Sequence, residues 1–202
     1  MKQVLFIHGG SAYSDYRVFL QHLRTSTPRY PNSERPARWS DSLRTQLGEA
    51  YEVFTPAMPN KENAQYEEWK IWFERHFEFL HDEAMLIGWS QGGYFLTKYL
   101  IENATPFSIK ALFLVAAPFE PDGFDGEDGG DFNFDTSRAG ELANKAEKIV
   151  IMHSEDDFVV PYQHALKYKS ALPQAELMTF TDRNHFLQAE FPELIGELRL
   201  LQ

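Results

Sequence analysis

Six short apolar runs punctuate the chain, at residues 4–7, 51–55, 84–88, 109–116, 149–153 and 176–180, and a segment of helical spacing follows each one. This alternation constrains the fold more than any other feature. A strand that returns parallel to its predecessor needs a long crossover, and a helix is the usual one. No two-residue turn joins one run to the next, and the run at 109–116 is almost continuously apolar, as in a sheet covered on both faces. Helices are expected over 14–24 (with Ser14 as cap), from 38 or 39 to 48, and over 66–80, 92–102, 137–145, 162–171 and 191–201. In 66–80, Trp69, Trp72, Phe73, Phe77 and Leu80 fall on one expected core-facing stripe. The pattern predicts an α/β protein of three αβα layers around a six-stranded, mostly parallel sheet. With 202 residues and no linker or repeat, residues 1–202 are expected to form one domain without a large cap.

Composition removes several function classes. There is no cysteine, which excludes disulfides, thiolate metal sites and a cysteine nucleophile. No apolar run reaches the roughly 20 residues of a membrane span, and no membrane partner is expected. The run at 4–7 is too short for a signal core, so a cytoplasmic location is expected. The net charge of −11 is uneven: residues 119–135 hold seven acids and no Lys or Arg. That acidity argues against nucleic acid as a partner.

Parallel strands bring all their C-terminal ends to one edge, so the loops after the apolar runs are where a site can assemble. Gly88-Trp89-Ser90-Gln91-Gly92 follows the third run and precedes a helix, with Gly93 as a further small residue. A serine on so sharp a turn needs small neighbours, because strand and helix must approach closely around it. The turn projects the hydroxyl above the sheet edge, where Ser90 reads as a nucleophile.

A serine needs a base within hydrogen-bond reach. Of the seven histidines, His185 follows the last run in Asp182-Arg183-Asn184-His185-Phe186, at the edge that Ser90 shares. His8 and His153 end strands, and His153 reads as structural; His22, His76, His81 and His164 lie on or beside helices. An acid should orient the imidazole, and Glu155-Asp156-Asp157 follows the fifth run. Asp157 is favoured because Phe158-Val159-Val160-Pro161 would pin its backbone, with Asp156 as the alternative. Oxyanion donors are expected from the backbone N–H of Gln91 and from that of Gly10 or Ser11, in the glycine loop after the first run.

His8-Gly9-Gly10, Gly88-Trp89-Ser90-Gln91-Gly92-Gly93, Asp157-Phe158-Val159-Val160-Pro161 and Asn184-His185-Phe186 together resemble the landmarks of the α/β-hydrolase superfamily, in its chain order and over nearly the whole length. The short chain is similar to the small, lidless serine hydrolases of the retinoblastoma-binding-protein-like and bacterial esterase-like group. The resemblance implies an α/β-hydrolase fold and hydrolysis of a small carboxylic ester, thioester or amide through a Ser-His-Asp triad and an acyl-enzyme. It implies no metal or organic cofactor, and nothing in the pattern sets an oligomeric state. C–C bond cleavage and peptide hydrolysis are compatible with the same triad. A catalytically silent binding or scaffold protein is the alternative, since fold alone does not imply activity. Two features depart from the group: Asn184 stands where a glycine often precedes the histidine, and residues 25–36 are an insertion.

The acidic stretch 119–137 occupies the position of a cap and carries Phe119, Phe124, Phe132 and Phe134. Its plain reading is a solvated loop whose phenylalanines dip onto the surface; the sharper one is a flap that repels anionic substrates. Its spacing does not match a calcium-binding EF-hand loop. Arg24, Arg29, Arg35, Arg38 and Arg44 form a basic stretch, expected as a solvated face, with pairing to the acidic loop or reception of a substrate carboxylate as the alternatives.

Overall fold

The computed structural model describes residues 1–28, 35–121 and 127–201. Its sheet has six strands: β1 (Lys2–Ile7), β2 (Tyr51–Phe54), β3 (Ala84–Trp89), β4 (Ile109–Val115), β5 (Lys148–Ser154) and β6 (Glu176–Phe180). They lie in the order β2-β1-β3-β4-β5-β6, and every neighbouring pair is parallel. All six expected strands are present within two residues of their expected ends. The α-helices are α1 (Tyr16–Thr25), α2 (Leu43–Leu47), α3 (Tyr66–Arg75), α4 (Gln91–Glu102), α5 (Gln163–Ala171) and α6 (Pro192–Leu200). Among the described residues, no helix is long and apolar enough to cross a membrane.

The strands send alternate side chains to two separate cores, although both sets are apolar. Leu5, Ile7, Leu86, Leu112 and Leu114 join one core, with Trp69 and Phe73 of α3, Phe95 and Tyr99 of α4, and Tyr168 of α5. Val4, Phe6, Met85, Ile87, Phe113 and Val115 join the other, with Leu43 and Leu47 of α2 and Leu194 and Leu198 of α6. The period of two in a doubly covered sheet produces these three layers. Burial of each such aliphatic side chain contributes about 1.5–3 kcal/mol.

Three expected helices differ in the structure. The segment 38–48 breaks into a 3₁₀ turn at Trp39–Asp41 followed by α2. Trp39 is pulled into the second core, edge-on to Phe6 and Phe191, and its indole N–H donates to the Phe186 carbonyl at 3.1 Å. The segment 66–80 is helical only to Arg75, with a 3₁₀ turn at Phe77–Phe79. There Trp69, Phe73 and Leu80 are buried, but Trp72 is 42% exposed, because it lies one position off the 69–73 line. The segment Thr136–Asn144 winds as a 3₁₀ helix, with the Asp135 carboxylate accepting from the Ser137 N–H.

Closest packing occurs where α4 crosses the ends of β1 and β3. A methyl group at Gly92 would sit 2.1 Å from the Ile7 carbonyl oxygen, and one at Gly88 would sit 2.5 Å from the Gly93 Cα. Both obstacles are backbone, which cannot rotate away. Gly92→Ala is therefore expected to lower stability by more than about 2 kcal/mol, read as a drop in the urea midpoint. Gly196→Ala, in α6 with open space around it, is expected to raise the midpoint by the equivalent of about 0.5–1 kcal/mol.

Candidate active site

Ser90 occupies the turn between β3 and α4 with φ 55° and ψ −125°. A non-glycine residue in this region carries strain of about 1–3 kcal/mol and persists only where its surroundings hold it. Here its N–H donates to the Val115 carbonyl at 2.8 Å, and its carbonyl accepts from Gly93 N–H at 2.9 Å and Tyr94 N–H at 3.2 Å. The strand on one side and the helix on the other leave the hydroxyl no inward course.

The loop after β6 brings His185 to that hydroxyl: its Nε2 lies 2.9 Å from Ser90 Oγ. Asn184 and Phe186 flank it with φ 48° and 54°. The left-handed backbone at 184 explains why asparagine can stand where a glycine is common, since it tolerates that region better than most residues. Two indoles hold the loop from beneath: Trp89 Nε1 donates to the His185 carbonyl at 3.1 Å, and Trp39 does the same at Phe186. Phe186 is fully buried against Phe180 and Phe191.

Asp157, not Asp156, meets the imidazole. His185 Nδ1 lies 2.8 Å from Asp157 Oδ2 and 3.1 Å from Oδ1. Oδ1 also accepts the N–H groups of Val159 at 2.8 Å and Val160 at 2.9 Å, so the segment after Asp157 folds back onto its carboxylate. With Nδ1–H donated to the acid, Nε2 presents its lone pair to Ser90. Asp156 turns the other way, accepting from the Ser154 hydroxyl and from Asn184 N–H at 2.9 Å. The Ser154 bond, with help from backbone donors, holds the Asp156 carboxyl below its usual range. It ties the acid loop to the histidine loop.

Gly9 lies against Ser90; a methyl group there would be 3.1 Å from Ser90 Cβ. Among the described residues, the N–H groups of Gly10 and Gln91 have no protein acceptor. Ser11 is different: its N–H donates to the Lys61 carbonyl at 2.8 Å. The expectation of a free donor at Ser11 is therefore corrected, leaving Gly10 of the two.

Two further histidines emerge that their sequence positions did not single out for the site. His8 Nδ1–H donates to the Gly9 carbonyl at 2.6 Å, and its Nε2 accepts from Met58 N–H at 2.9 Å. Burial pushes its pKa down, so the neutral ring ties the glycine loop to the chain beyond β2. His153 is buried, donates Nε2–H to the Val160 carbonyl at 2.8 Å, and places that nitrogen 3.5 Å from Asp157 Oδ2. Burial pushes its pKa down too, against the opposing pull of the Val160 bond and the Asp157 charge. A histidine four residues before an acid was the available signal, but its meaning depends on the turn between them.

The acidic stretch is not a loose loop where it is described. Phe132 is fully buried against Tyr66, Trp69 and Phe95, and Phe119 packs on Tyr168. Phe134 is partly buried against the same core, while Phe124 lies outside the described residues. The reading of phenylalanines dipping onto the surface is thus corrected for Phe119 and Phe132. Asp131 accepts the Tyr66 N–H at the start of α3, and Asp128 accepts from Ser14 and Gly130 N–H groups and from the Ser14 hydroxyl. The basic stretch pairs locally: Arg35 with Asp41 at 2.7 Å, and Arg44 with the Val53 carbonyl at 2.6 Å. Arg38 stacks over Trp89, 5.1 Å from the ring centroid, and Arg29 lies outside the described residues. Among the described residues, no three His, Asp or Glu side chains gather as a metal ion would require.

No family model matches the chain, and no curated protein sequence matches it. Solved structures do. The ydeN gene product of B. subtilis is similar with a TM-score of 0.74 at 18% identity, over 100% of this chain and 98% of that one. The monoacylglycerol lipase of Paleococcus ferrophilus has a TM-score of 0.63 at 13% identity, over 97% and 91%. A lipase-esterase related protein from Clostridium acetobutylicum has 0.60 at 13%, over 100% and 94%. These likenesses show the α/β-hydrolase fold, and the described residues form six parallel strands with no large cap among them.

Half-buried His8 and buried His153 give the molecule a signed response to acid. Both have folded-state pKa values below the ordinary histidine value of about 6.5, so the unfolded chain takes up protons that the folded one resists. Their contribution is fully present above pH 6.5 and is lost as pH falls through the lowered folded values. The thermal midpoint is expected to fall between about pH 7.5 and about pH 5. His153→Asn, which removes one of the two groups, is expected to show a smaller fall over the same interval.

Proposed function

We propose that this α/β-hydrolase-fold chain, with residues 1–202 acting as one domain, is a serine hydrolase of small carboxylic esters, thioesters or amides. The observation that carries the reading is the 2.9 Å approach of His185 Nε2 to Ser90 Oγ, with the opposite ring nitrogen on Asp157. Ser90 Oγ attacks the substrate carbonyl carbon as His185 Nε2 takes its proton. Asp157 stabilises the imidazolium without becoming protonated. The carbonyl oxygen, now an oxyanion, is met by the N–H groups of Gln91 and Gly10. Each such donor is worth about 10²–10³ in rate. Collapse expels the alcohol, thiol or amine, which leaves with the proton from His185. Water, deprotonated by His185, then attacks the acyl-Ser90 ester and releases the carboxylic acid. The similarity to proteins described as lipase and esterase agrees with this chemistry.

Labelling with a fluorophosphonate probe tests the assignment. The parent is expected to label, and Ser90→Ala and His185→Ala are expected to lose the label. Retention of strong labelling by Ser90→Ala would sink the nucleophile. A folded parent that neither labels nor hydrolyses esters would favour the binding-protein alternative. The neighbouring acids should separate cleanly on a short-chain p-nitrophenyl ester. Asp157→Asn is expected to lower kcat by about 10⁴-fold, and Asp156→Asn by no more than about tenfold, through loop placement alone.

A further inference from the structure

His153 and Asp157 hold the same residue by its two polar groups. Val160, fully buried, gives its N–H to Asp157 Oδ1 at 2.9 Å, and its carbonyl accepts from His153 Nε2–H at 2.8 Å. The Val159 N–H also reaches Oδ1, at 2.8 Å. Backbone therefore occupies one carboxylate oxygen and leaves Oδ2 for His185, whose Nδ1 lies 2.8 Å away. The last torsion of an aspartate is broad, so the carboxylate keeps this orientation only while Oδ1 is held. Oδ1 is held only while Val160 stays in place, and the bond from His153 fixes the carbonyl of that residue.

The His153 ring also stands beside the acid itself. Its Nε2 is 3.5 Å from Asp157 Oδ2, and both side chains are buried. Two imidazoles thus adjoin one carboxylate. Among the described residues, the buried Nδ1 of His153 has no hydrogen-bond partner, so the ring carries its one proton on Nε2 and has no acceptor for a second. The titratable groups around it are Asp157, Tyr162, whose ring lies edge-on at 6.0 Å, and His164 and His185, whose charges would oppose its own. A charged His153 would share the carboxylate with His185; a neutral one leaves it whole. An apolar side chain would fill this place without burying an unpartnered nitrogen, so packing alone does not account for a histidine here.

We propose that His153 is a positioning residue for the hydrolysis. By tethering Val160 it orients the Asp157 carboxylate toward His185, and as a neutral ring it leaves that negative charge to the imidazolium that forms when Ser90 attacks. This rests on the serine-hydrolase reading of Ser90, His185 and Asp157.

A matched pair of variants separates the donor from the bulk. Glutamine carries an N–H at about the reach of Nε2, whereas methionine has a similar reach and no donor. On a short-chain p-nitrophenyl ester, His153→Met is expected to lower kcat by about 10–100-fold with KM within about twofold, because a misplacement of about 1 Å can cost that much. His153→Gln is expected to recover to within about threefold of the parent. In an Asp157→Asn background, His153→Met is expected to cost less than about threefold, since the carboxylate it acts through is gone. Rates of fluorophosphonate labelling extend that comparison to the slow double variant. Equal losses in the two backgrounds overturn the assignment, as does a Gln variant as slow as the Met variant, or a folded Met variant with the parent's kcat. Imidazole nitrogen NMR spectra of the parent supply a check that requires no variant to fold. His153 is expected to remain a neutral ring protonated on Nε2 from about pH 8 to about pH 6. A ring protonated on Nδ1 instead, or one that takes up its second proton before His185 does, removes the proposal. A parent inert to esters and to the fluorophosphonate removes the hydrolase reading itself, and this inference with it.

Discussion

The rest of the structure depends on how closely α4 crosses the ends of β1 and β3. At Gly92 the helix backbone rests on the Ile7 and His8 carbonyls, and at Gly88 and Gly93 strand and helix nearly touch. No side chain fits between them. A chain that leaves β3 and enters α4 over so short a distance must turn within one residue, and Ser90 absorbs that turn in left-handed backbone. The strain is local, and the sheet on one side and the first turn of α4 on the other both oppose its relaxation. The position of the hydroxyl is thus a consequence of backbone packing rather than of any contact the serine makes for itself.

His185 and Asp157 are held by a different principle. Both sit in loops after β5 and β6, and loops are ordinarily mobile. Here their backbone groups are spoken for by distant side chains. Trp39 and Trp89 take the carbonyls of Phe186 and His185, while Asp156 takes the Asn184 N–H and the Ser154 hydroxyl. Asp156 and Asp157 therefore divide two tasks that one acid could not perform together. One carboxylate faces backbone and joins the loops; the other faces the imidazole, with His153 behind it. A third histidine, His8, fixes the glycine loop in the same way, through a neutral ring bonded at both nitrogens.

What the chain displayed openly was whatever depends on local pattern. The six strands were legible because each is a run of apolar residues of strand length. Ser90 and His185 were legible because the turn that carries one and the loop that carries the other follow such runs. What stayed hidden depends on contacts between residues far apart. Among three adjacent acids the sequence favoured Asp157 but kept Asp156 open, and the turn that brings the Val159 and Val160 N–H groups onto Asp157 is where they part. The Ser11 N–H looks free until the Lys61 carbonyl, fifty residues on, takes it. Trp39 looks like a helix residue until its ring is needed beneath the histidine loop. The acidic stretch read as solvated from its composition, yet Phe132 anchors it in the core, and composition does not register a single anchoring ring.

That last difference changes how the chain's charge should be understood. Acids spread along a surface act mainly through a screened, distant field. Acids on a segment anchored by Phe132, and bonded through Asp128 and Asp131 to Ser14 and Tyr66, hold fixed positions instead. Two of them satisfy backbone donors at the starts of neighbouring segments, which occupies their charge structurally. The same apolar anchor that makes the segment part of the fold therefore fixes two of its carboxylates on neighbouring backbone. Position, more than the total of −11, gives the acidity of this chain its chemical meaning.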